Sequence, residues 1–148
     1  MNRSTATKKR SLVKALTWRL TATTDTVVIA WIITNKFSVG LAIGGMEVIT
    51  KLVLYYLHER LWNRTALGVT DKANRNSRKR SIIKTVTWRV TGTLDTILLA
   101  WLITGKLSVG LKIGGIEVLT KMVLYYFHER IWGKSKFGVV KEANPKTI

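Results

Sequence analysis

Each half of this 148-residue chain places two carboxylic acids and one lysine inside otherwise apolar stretches. Glu47 and Lys51 are spaced i, i+4 with the acid first, which is the orientation that favours an ion pair on a helix. Such groups could carry a proton, a small ion or a small solute, or could form a sealed salt bridge that fixes helix register. The six residues are Asp25, Glu47, Lys51, Asp95, Glu117 and Lys121.

The chain is a tandem repeat. A shift of seventy residues aligns 10–74 with 80–144, and 38 of the 65 aligned positions are identical. We therefore predict a first repeat at 1–70, which begins with a basic arm. A second repeat at 71–148 includes a basic linker and a basic tail.

Two apolar segments of 20 residues follow each other in each repeat. A helix of this length spans roughly 30 Å, which is the thickness of the hydrocarbon core of a bilayer. The short connections NKFS and GKLS predict a helical hairpin in each repeat. The fold class predicted is an all-α membrane protein, with four transmembrane helices as two tandem hairpins in parallel orientation. The predicted spans are 15–34, 39–58, 85–104 and 109–128.

The charge distribution predicts the orientation of these spans. Lys and Arg outnumber Asp and Glu by 25 to 8, and the basic residues cluster near both termini and in the middle connection. By the positive-inside rule, these parts face the cytoplasm of a multi-pass protein in the bacterial inner membrane. We expect the partners to be the bilayer and its anionic headgroups, with a homo-oligomer or a membrane partner protein as further options.

Two other protein classes are compatible with parts of the composition. A net charge of +17 is typical of nucleic-acid binders, but the long apolar runs leave no recognisable binding fold, so we expect no nucleic-acid partner. A soluble four-helix bundle is an alternative, because the first span of each repeat is rich in Thr and contains an Asp.

The cost of the buried charges predicts where they point. An unpaired charge at the centre of a membrane helix costs roughly 2.5 to 3.5 kcal/mol, so six facing lipid would cost on the order of 15 to 20 kcal/mol. We therefore expect the six side chains to face one another, a neighbouring subunit or water. Asp25 could reach the Lys51 ammonium from the adjacent helix of its hairpin.

Small residues lie on the same helix face as the charges. Gly40 and Gly44 form a small-xxx-small pair, as do Gly110 and Gly114, and such pairs let another helix backbone approach closely.

A cluster of charged residues is predicted at the inner ends of the spans. Its two His-Glu-Arg triplets could act as a proton relay, contact lipid headgroups or be solvated helix ends, and Arg19 and Arg89 could snorkel or reach Asp25 and Asp95 through water. Its members are Arg19, His58, Glu59, Arg60, Arg89, His128, Glu129 and Arg130.

No metal site, cofactor or enzymatic reaction is predicted. The segment HERLW lacks the second histidine of a zinc-protease helix, and the chain contains no cysteine. No nucleophile-base arrangement is recognisable, and only the two His-Glu-Arg triplets leave an enzyme as a third option.

Both repeats resemble a known family through motifs that occur in the same order. The first carries KALTWRLTATTDT and GGMEVITKLVLYYLHERLW, and the second carries KTVTWRVTGTLDT and GGIEVLTKMVLYYFHERIW. These segments, within 14–62 and 84–132, resemble the bacterial predicted membrane proteins of domain of unknown function 2061. The resemblance implies membrane location and a two-helix unit, and it implies no activity.

The leading functional hypothesis is a small channel or transporter subunit that moves a proton, a small ion or a small solute past the buried charges. The alternative is a membrane scaffold or assembly protein. In that case the charges fix helix packing, and the basic surface binds anionic lipid or a partner.

Overall fold

The computed structural model of the chain describes residues 4–65 and 78–141, and it confirms the predicted four-helix architecture. At 27 or 28 residues each helix is longer than the predicted span. Each helix is therefore about 40 Å long, which is enough to cross the hydrocarbon core and enter the headgroup layer. The helices are α1 (Lys8–Thr34), α2 (Phe37–Arg64), α3 (Arg78–Thr104) and α4 (Leu107–Lys134).

Two-residue turns join the helices of each hairpin, as the short connections predict. Asn35 ends α1 in the left-handed conformation with φ 54°. Gly105 occupies the equivalent position after α3 with φ +69°. Asn and Gly tolerate this conformation better than other residues, which explains why the turns fall there.

The four helices form a ring in chain order. Each helix packs against its hairpin partner and against one helix of the other repeat, so α1 contacts α4 and α2 contacts α3. Neighbours in the ring are antiparallel, and the two hairpins therefore share one orientation. Equivalent residues of the two repeats make equivalent contacts, which gives the bundle an approximate two-fold axis along its length.

Two short strands join the chain ends, which the sequence analysis did not predict. Ser4–Ala6 pairs with Val139–Lys141 in antiparallel orientation, beside the start of α1 and the end of α4. The amide of Thr7 extends this pairing by donating to the carbonyl of Gly138 at 2.9 Å. Most of the basic linker and the end of the basic tail, with their expected lipid contacts, lie outside the described residues.

The burial pattern differs from that of a soluble protein. Among the described residues, seven apolar and seven polar or charged side chains are buried, whereas thirty-eight large apolar side chains are exposed. A water-soluble bundle of this size would hide most of these apolar groups. The surface is therefore suited to lipid, which argues against the soluble-bundle alternative.

One described helix, Phe37–Arg64, is long and apolar enough by composition to cross a membrane. The other three contain more polar or charged residues. For example, α4 has Lys112 where α2 has Ala42, and α1 and α3 are rich in threonine. The membrane-spanning role of these three helices remains a prediction.

Candidate functional site

Two glutamates lie at the centre of the bundle. Glu47 of α2 and Glu117 of α4 are each 3% exposed. Lys51 donates a hydrogen bond to Glu47, and Lys121 does the same for Glu117, one helical turn along the same helix. The Lys121 ammonium also lies 3.7 Å from Glu47, across the boundary between repeats. The two predicted i, i+4 pairs are thus joined into one network, which we call the central network.

A buried threonine bridges the two carboxylates. The Thr26 hydroxyl of α1 lies 2.8 Å from Glu47 Oε2 and 2.5 Å from Glu117 Oε1. Because a hydroxyl has a single proton, it can donate to only one carboxylate at a time. Thr96 of α3 is the equivalent residue and donates to Glu47 Oε1 at 2.5 Å.

Sequence reasoning did not identify these two threonines. Thr26 and Thr96 are both fully buried, and each directly follows a predicted site aspartate. Their identity in both repeats was the available signal. It was weak, because threonine occurs at many other positions in the same helices.

The aspartates do not pair as expected. Asp25 was predicted to reach Lys51 of its own hairpin, but its Oδ2 accepts a hydrogen bond from Thr120 of α4 at 2.8 Å. Asp95 likewise accepts from Thr50 of α2 at 2.8 Å. Successive residues on a helix point about 100° apart, so an aspartate beside a central threonine faces the neighbouring repeat instead of the bundle axis.

A cavity of about 260 Å³ lies beside the glutamate pair, toward the basic ends of the helices. Its lining includes Glu117, Lys51 and Lys121, and the two lysine side chains keep 13% and 14% exposure. Solvent space therefore reaches the buried ion pairs.

Apolar side chains close the other side of the network. They occupy the next turn of each helix toward the hairpin turns, and four of the five have 0% exposure. We call this cluster the apolar plug. Within the described residues, the cavity and the plug thus give the charges solvent space on one side only. The apolar plug consists of Ile29, Ala30, Ile43, Ala100 and Ile113.

Two of the inner-end arginines lie beside the cavity. Arg19 and Arg89 both line it, and Arg19 donates to the carbonyl of Val48 at 2.9 Å. The carboxylates of Asp25 and Asp95 accept hydrogen bonds from threonines of the other repeat, and their contact with the arginines through water stays a prediction.

The two inner-end histidines are buried between the repeats, so the interpretation of a solvated helix end is wrong for them. Each histidine residue is 9% exposed. Nε2 of His58 lies 3.0 Å from the hydroxyl of Thr87, and Nε2 of His128 lies 3.0 Å from that of Thr17. The histidines therefore help to hold the helices of one repeat against those of the other.

The inner-end acids also pair across the repeats. Glu59 forms an ion pair with Lys84 at 2.6 Å, and Glu129 forms one with Lys14 at 2.7 Å. The lysine hydrogen bond is the main reason that the pKa of Glu129 lies below its ordinary value. Both pairs are about one-third exposed, so they contribute little stability. The remaining members, Arg60 and Arg130, point to the exterior.

Arg10 contributes a helix cap that the sequence analysis missed. Its guanidinium donates to the carbonyls of Trp132 at 2.6 Å and Ser135 at 2.9 Å, and it stacks over the indole ring of Trp132. Arg80 makes the equivalent contacts with the end of α2. Both residues satisfy carbonyl groups at the C-terminus of a helix, where a positive charge is also favourable.

The four predicted packing glycines lie where the helices of each hairpin meet. A Cβ atom at Gly40 would lie 2.5 Å from the carbonyl oxygen of Val27, and one at Gly110 would lie 2.5 Å from that of Ile97. At Gly44 and Gly114 the nearest atoms belong to the side chains of the same two residues, also at 2.5 Å. Gly40 and Gly110 therefore have no room for a Cβ atom, whereas at Gly44 and Gly114 a neighbouring side chain must move to make room.

No group of three or more His, Cys, Asp or Glu side chains that could hold a metal ion occurs in 4–65 and 78–141. The side chains around the buried glutamates offer carboxylate, hydroxyl, ammonium and guanidinium groups, which can exchange protons and bind charged groups.

Comparison with known proteins identifies the family of the chain. The family model described as predicted membrane protein (DUF2061) matches twice, at residues 12–63 and 82–133, which together cover more than half of the chain. The resemblance inferred from the motifs is thus confirmed, as is the tandem repeat. No curated protein and no solved structure matches the chain. The chain belongs to the DUF2061 family of predicted membrane proteins.

Proposed function

We propose that all four helices span the bacterial inner membrane, with both termini on the cytoplasmic side. The membrane family and the apolar exterior of the bundle support this arrangement. The basic residues concentrate at the end of the bundle that holds the termini. The hairpin-turn end carries Lys36, Lys106 and Lys112. The cavity then lies in the cytoplasmic half of the membrane.

We infer that the protein is a small channel or transporter subunit that moves a proton, a small ion or a small solute past the central network. The observation that carries this proposal is the cavity, which brings solvent space to Lys51, Lys121 and Glu117 in the middle of an apolar bundle. A network that served packing alone would not need solvent space beside it. The proposal assigns no catalytic reaction to the protein.

The bridge between the glutamates supports proton movement. The Thr26 hydroxyl is within hydrogen-bond distance of Glu47 and Glu117, so it can hand its proton to one carboxylate and accept one from the other. A proton arriving at Glu117, which lines the cavity, could pass to Glu47 by this exchange.

The apolar plug defines the step that passage requires. Ile43 and Ile113 are completely buried at its centre, and the described structure is therefore closed at the hairpin-turn end. A hydrophobic constriction of this kind gates passage by excluding water. For a proton, ion or solute to pass, the helices must therefore separate at the plug, or the bundle must act together with another subunit.

A scaffold role is the second candidate, and one observation favours it. The contacts between the repeats engage acids, histidines and threonines in equivalent pairs along much of the bundle length. Such pairing fixes the register of the helices, which is a recognised use of buried polar groups. In this case the basic surface recruits anionic lipid or a protein partner.

Enlarging the plug separates the two candidates. The double variant Ile43→Ala with Ile113→Ala should raise proton leak or ion flux in proteoliposomes several-fold, because it removes side chains from the constriction. The control is Leu41→Ala with Leu111→Ala, which removes similar groups from exposed positions of the same helices. Unchanged flux in the folded plug variant, together with no flux in the parent across a broad panel of ions, would refute the proposed channel or transporter role.

Removing the glutamate charges is the complementary test. Glu47→Gln with Glu117→Gln should abolish a flux shown by the parent while the protein stays helical. The control, Glu59→Gln with Glu129→Gln, removes the same number of acids from the partly exposed pairs. Loss of thermal stability with no parental flux would favour the scaffold.

A further inference from the structure

Cationic groups outnumber carboxylates in the cavity lining. Four basic side chains face one acid, Glu117. The two ammonium groups are each neutralised by a glutamate of the central network. Within the lining, the two guanidinium groups are therefore the charges that no lining carboxylate balances. The basic side chains are Arg19, Lys51, Arg89 and Lys121.

No carboxylate offsets the guanidinium groups directly. Among the described residues, no carboxylate forms an ion pair within 4.0 Å of the Arg19 or Arg89 guanidinium. The nearest acids along α1 and α3, Asp25 and Asp95, accept hydrogen bonds from threonines of the other repeat. Arg19 is half-buried and Arg89 is exposed, and the positive charges that both side chains bring to the cavity favour a counter-charge there. An anion in the cavity would supply it.

The lysines can also contribute to such a site. Lys51 donates to Glu47 and Thr96, and Lys121 donates to Glu117 and Thr26, so two of the three protons on each ammonium are used. The third proton of each can point into the space that both residues line. The cavity thus combines two planar guanidinium groups with two further donors.

Size and wall chemistry restrict the occupant. A cavity of about 260 Å³ is smaller than the pockets of roughly 300 to 1,000 Å³ that hold drug-sized ligands. Trp18, Trp88 and Tyr125 form aromatic walls beside the cations. Guanidinium groups match carboxylate and phosphate oxygens in a two-pronged geometry that spherical ions do not offer.

We propose that this cavity is a binding site for a small oxyanion, a carboxylate or phosphate group held by Arg19 and Arg89 and supported by Lys51 and Lys121. This inference rests on the proposed channel or transporter role, because the oxyanion is the class of solute that the same cavity would carry. The oxyanion can be a free solute from the cytoplasm or the headgroup of an anionic lipid.

The test measures binding at equilibrium, separately from flux. The full chain is placed in nanodiscs of phosphatidylcholine, and inorganic phosphate and acetate are titrated in by calorimetry at constant ionic strength. We expect saturable binding of at least one of the two probes. In parallel, native mass spectrometry of the protein in nanodiscs with phosphatidylglycerol reports whether one anionic lipid stays bound.

The informative variant is Arg19→Gln with Arg89→Gln, which should weaken binding at least tenfold. The matched control is Arg60→Gln with Arg130→Gln, which removes the same two charges from exposed positions and should change affinity less than twofold. If the glutamine variant does not fold, Arg19→Lys with Arg89→Lys keeps the charge and loses the planar fork. We expect this variant to bind at least threefold more weakly than the parent.

Each outcome decides one point. Phosphate or acetate binding that depends on Arg19 and Arg89 supports a site for a free solute. Retention of one phosphatidylglycerol with the same dependence supports a headgroup site. Equal weakening by both glutamine variants, or no saturable binding in either arm, overturns the inference. Binding that depends on Arg19 and Arg89, in a protein that shows no flux, would support the oxyanion site and refute the proposed channel or transporter role.

Discussion

Replacement of Gly40 by alanine should destabilise the bundle through a backbone clash. The added Cβ would lie 2.5 Å from the carbonyl oxygen of Val27, whereas carbon and carbonyl oxygen in close helix contacts lie about 3.3 to 3.6 Å apart. The two helices must therefore separate by roughly 1 Å at this point. A backbone carbonyl cannot rotate away, and overpacking of this kind costs typically about 1 to 3 kcal/mol.

Gly45 provides the matched control for this substitution. It lies in the same helix, and a Cβ there would meet nothing within 4 Å. The gain in helix propensity from glycine to alanine, about 1 kcal/mol, is common to both variants and cancels in their difference. The difference in unfolding free energy should therefore equal the clash, about 1 to 3 kcal/mol, or roughly 5- to 150-fold in the unfolding equilibrium constant.

The assay is reversible unfolding in mixed micelles with increasing SDS, followed by helical circular dichroism. Gly44→Ala should fall between the other two variants, because its clash is with the Val27 side chain, which can change rotamer. Gly110 and Gly115 of the second repeat should reproduce the pattern. Equal stability of the Gly40 and Gly45 variants within about 0.5 kcal/mol would refute the close packing of the hairpin.

Two further predictions concern the contacts between the repeats. The Lys14 hydrogen bond holds the pKa of Glu129 below its ordinary value of 4.5, so the stability from this pair is present above that value and is lost as pH falls through the lowered pKa. Lys14→Met should move the Glu129 titration, followed by carboxyl carbon NMR, toward higher pH; a titration shifted equally by Lys84→Met would contradict the assignment. Separately expressed fragments 1–72 and 73–148 should co-purify from membranes when produced together, because the described histidine and aspartate contacts join the two repeats. Failure to co-purify while each fragment is helical would show that these contacts are too weak to hold the halves together.

Much of the fold follows from periodicity and repeat identity. The two-residue turns could be predicted because Asn35 and Gly105 suit the left-handed conformation, and the paired glycines mark close helix approach. The strand pair between the chain ends could not be predicted from the sequence. It joins two three-residue segments more than 130 residues apart, and segments so short carry no periodic signal.

The site was only partly predictable, because sequence spacing defines neighbours within a helix and not between helices. The i, i+4 spacing of Glu47 and Lys51 identified their contact correctly. The partner of Asp25 could not be deduced, because the ring order of the helices decides which repeat it faces. The bridging role of Thr26 depends on the same order.

In the proposed arrangement, solvent reaches the buried charge network from the cytoplasmic side and stops at the apolar plug. Because the chain has no cysteine, single cysteines can report this directly. Gly92→Cys fits the cavity, since a Cβ there lies 3.7 Å from its nearest neighbour, and Ile43→Cys places the thiol in the plug. In membrane vesicles, an impermeant thiol reagent should label the Gly92 variant from the cytoplasmic side only and the Ile43 variant from neither side. Labelling of the Gly92 variant from the opposite side, or from neither side, would show that solvent does not reach the network from the cytoplasm.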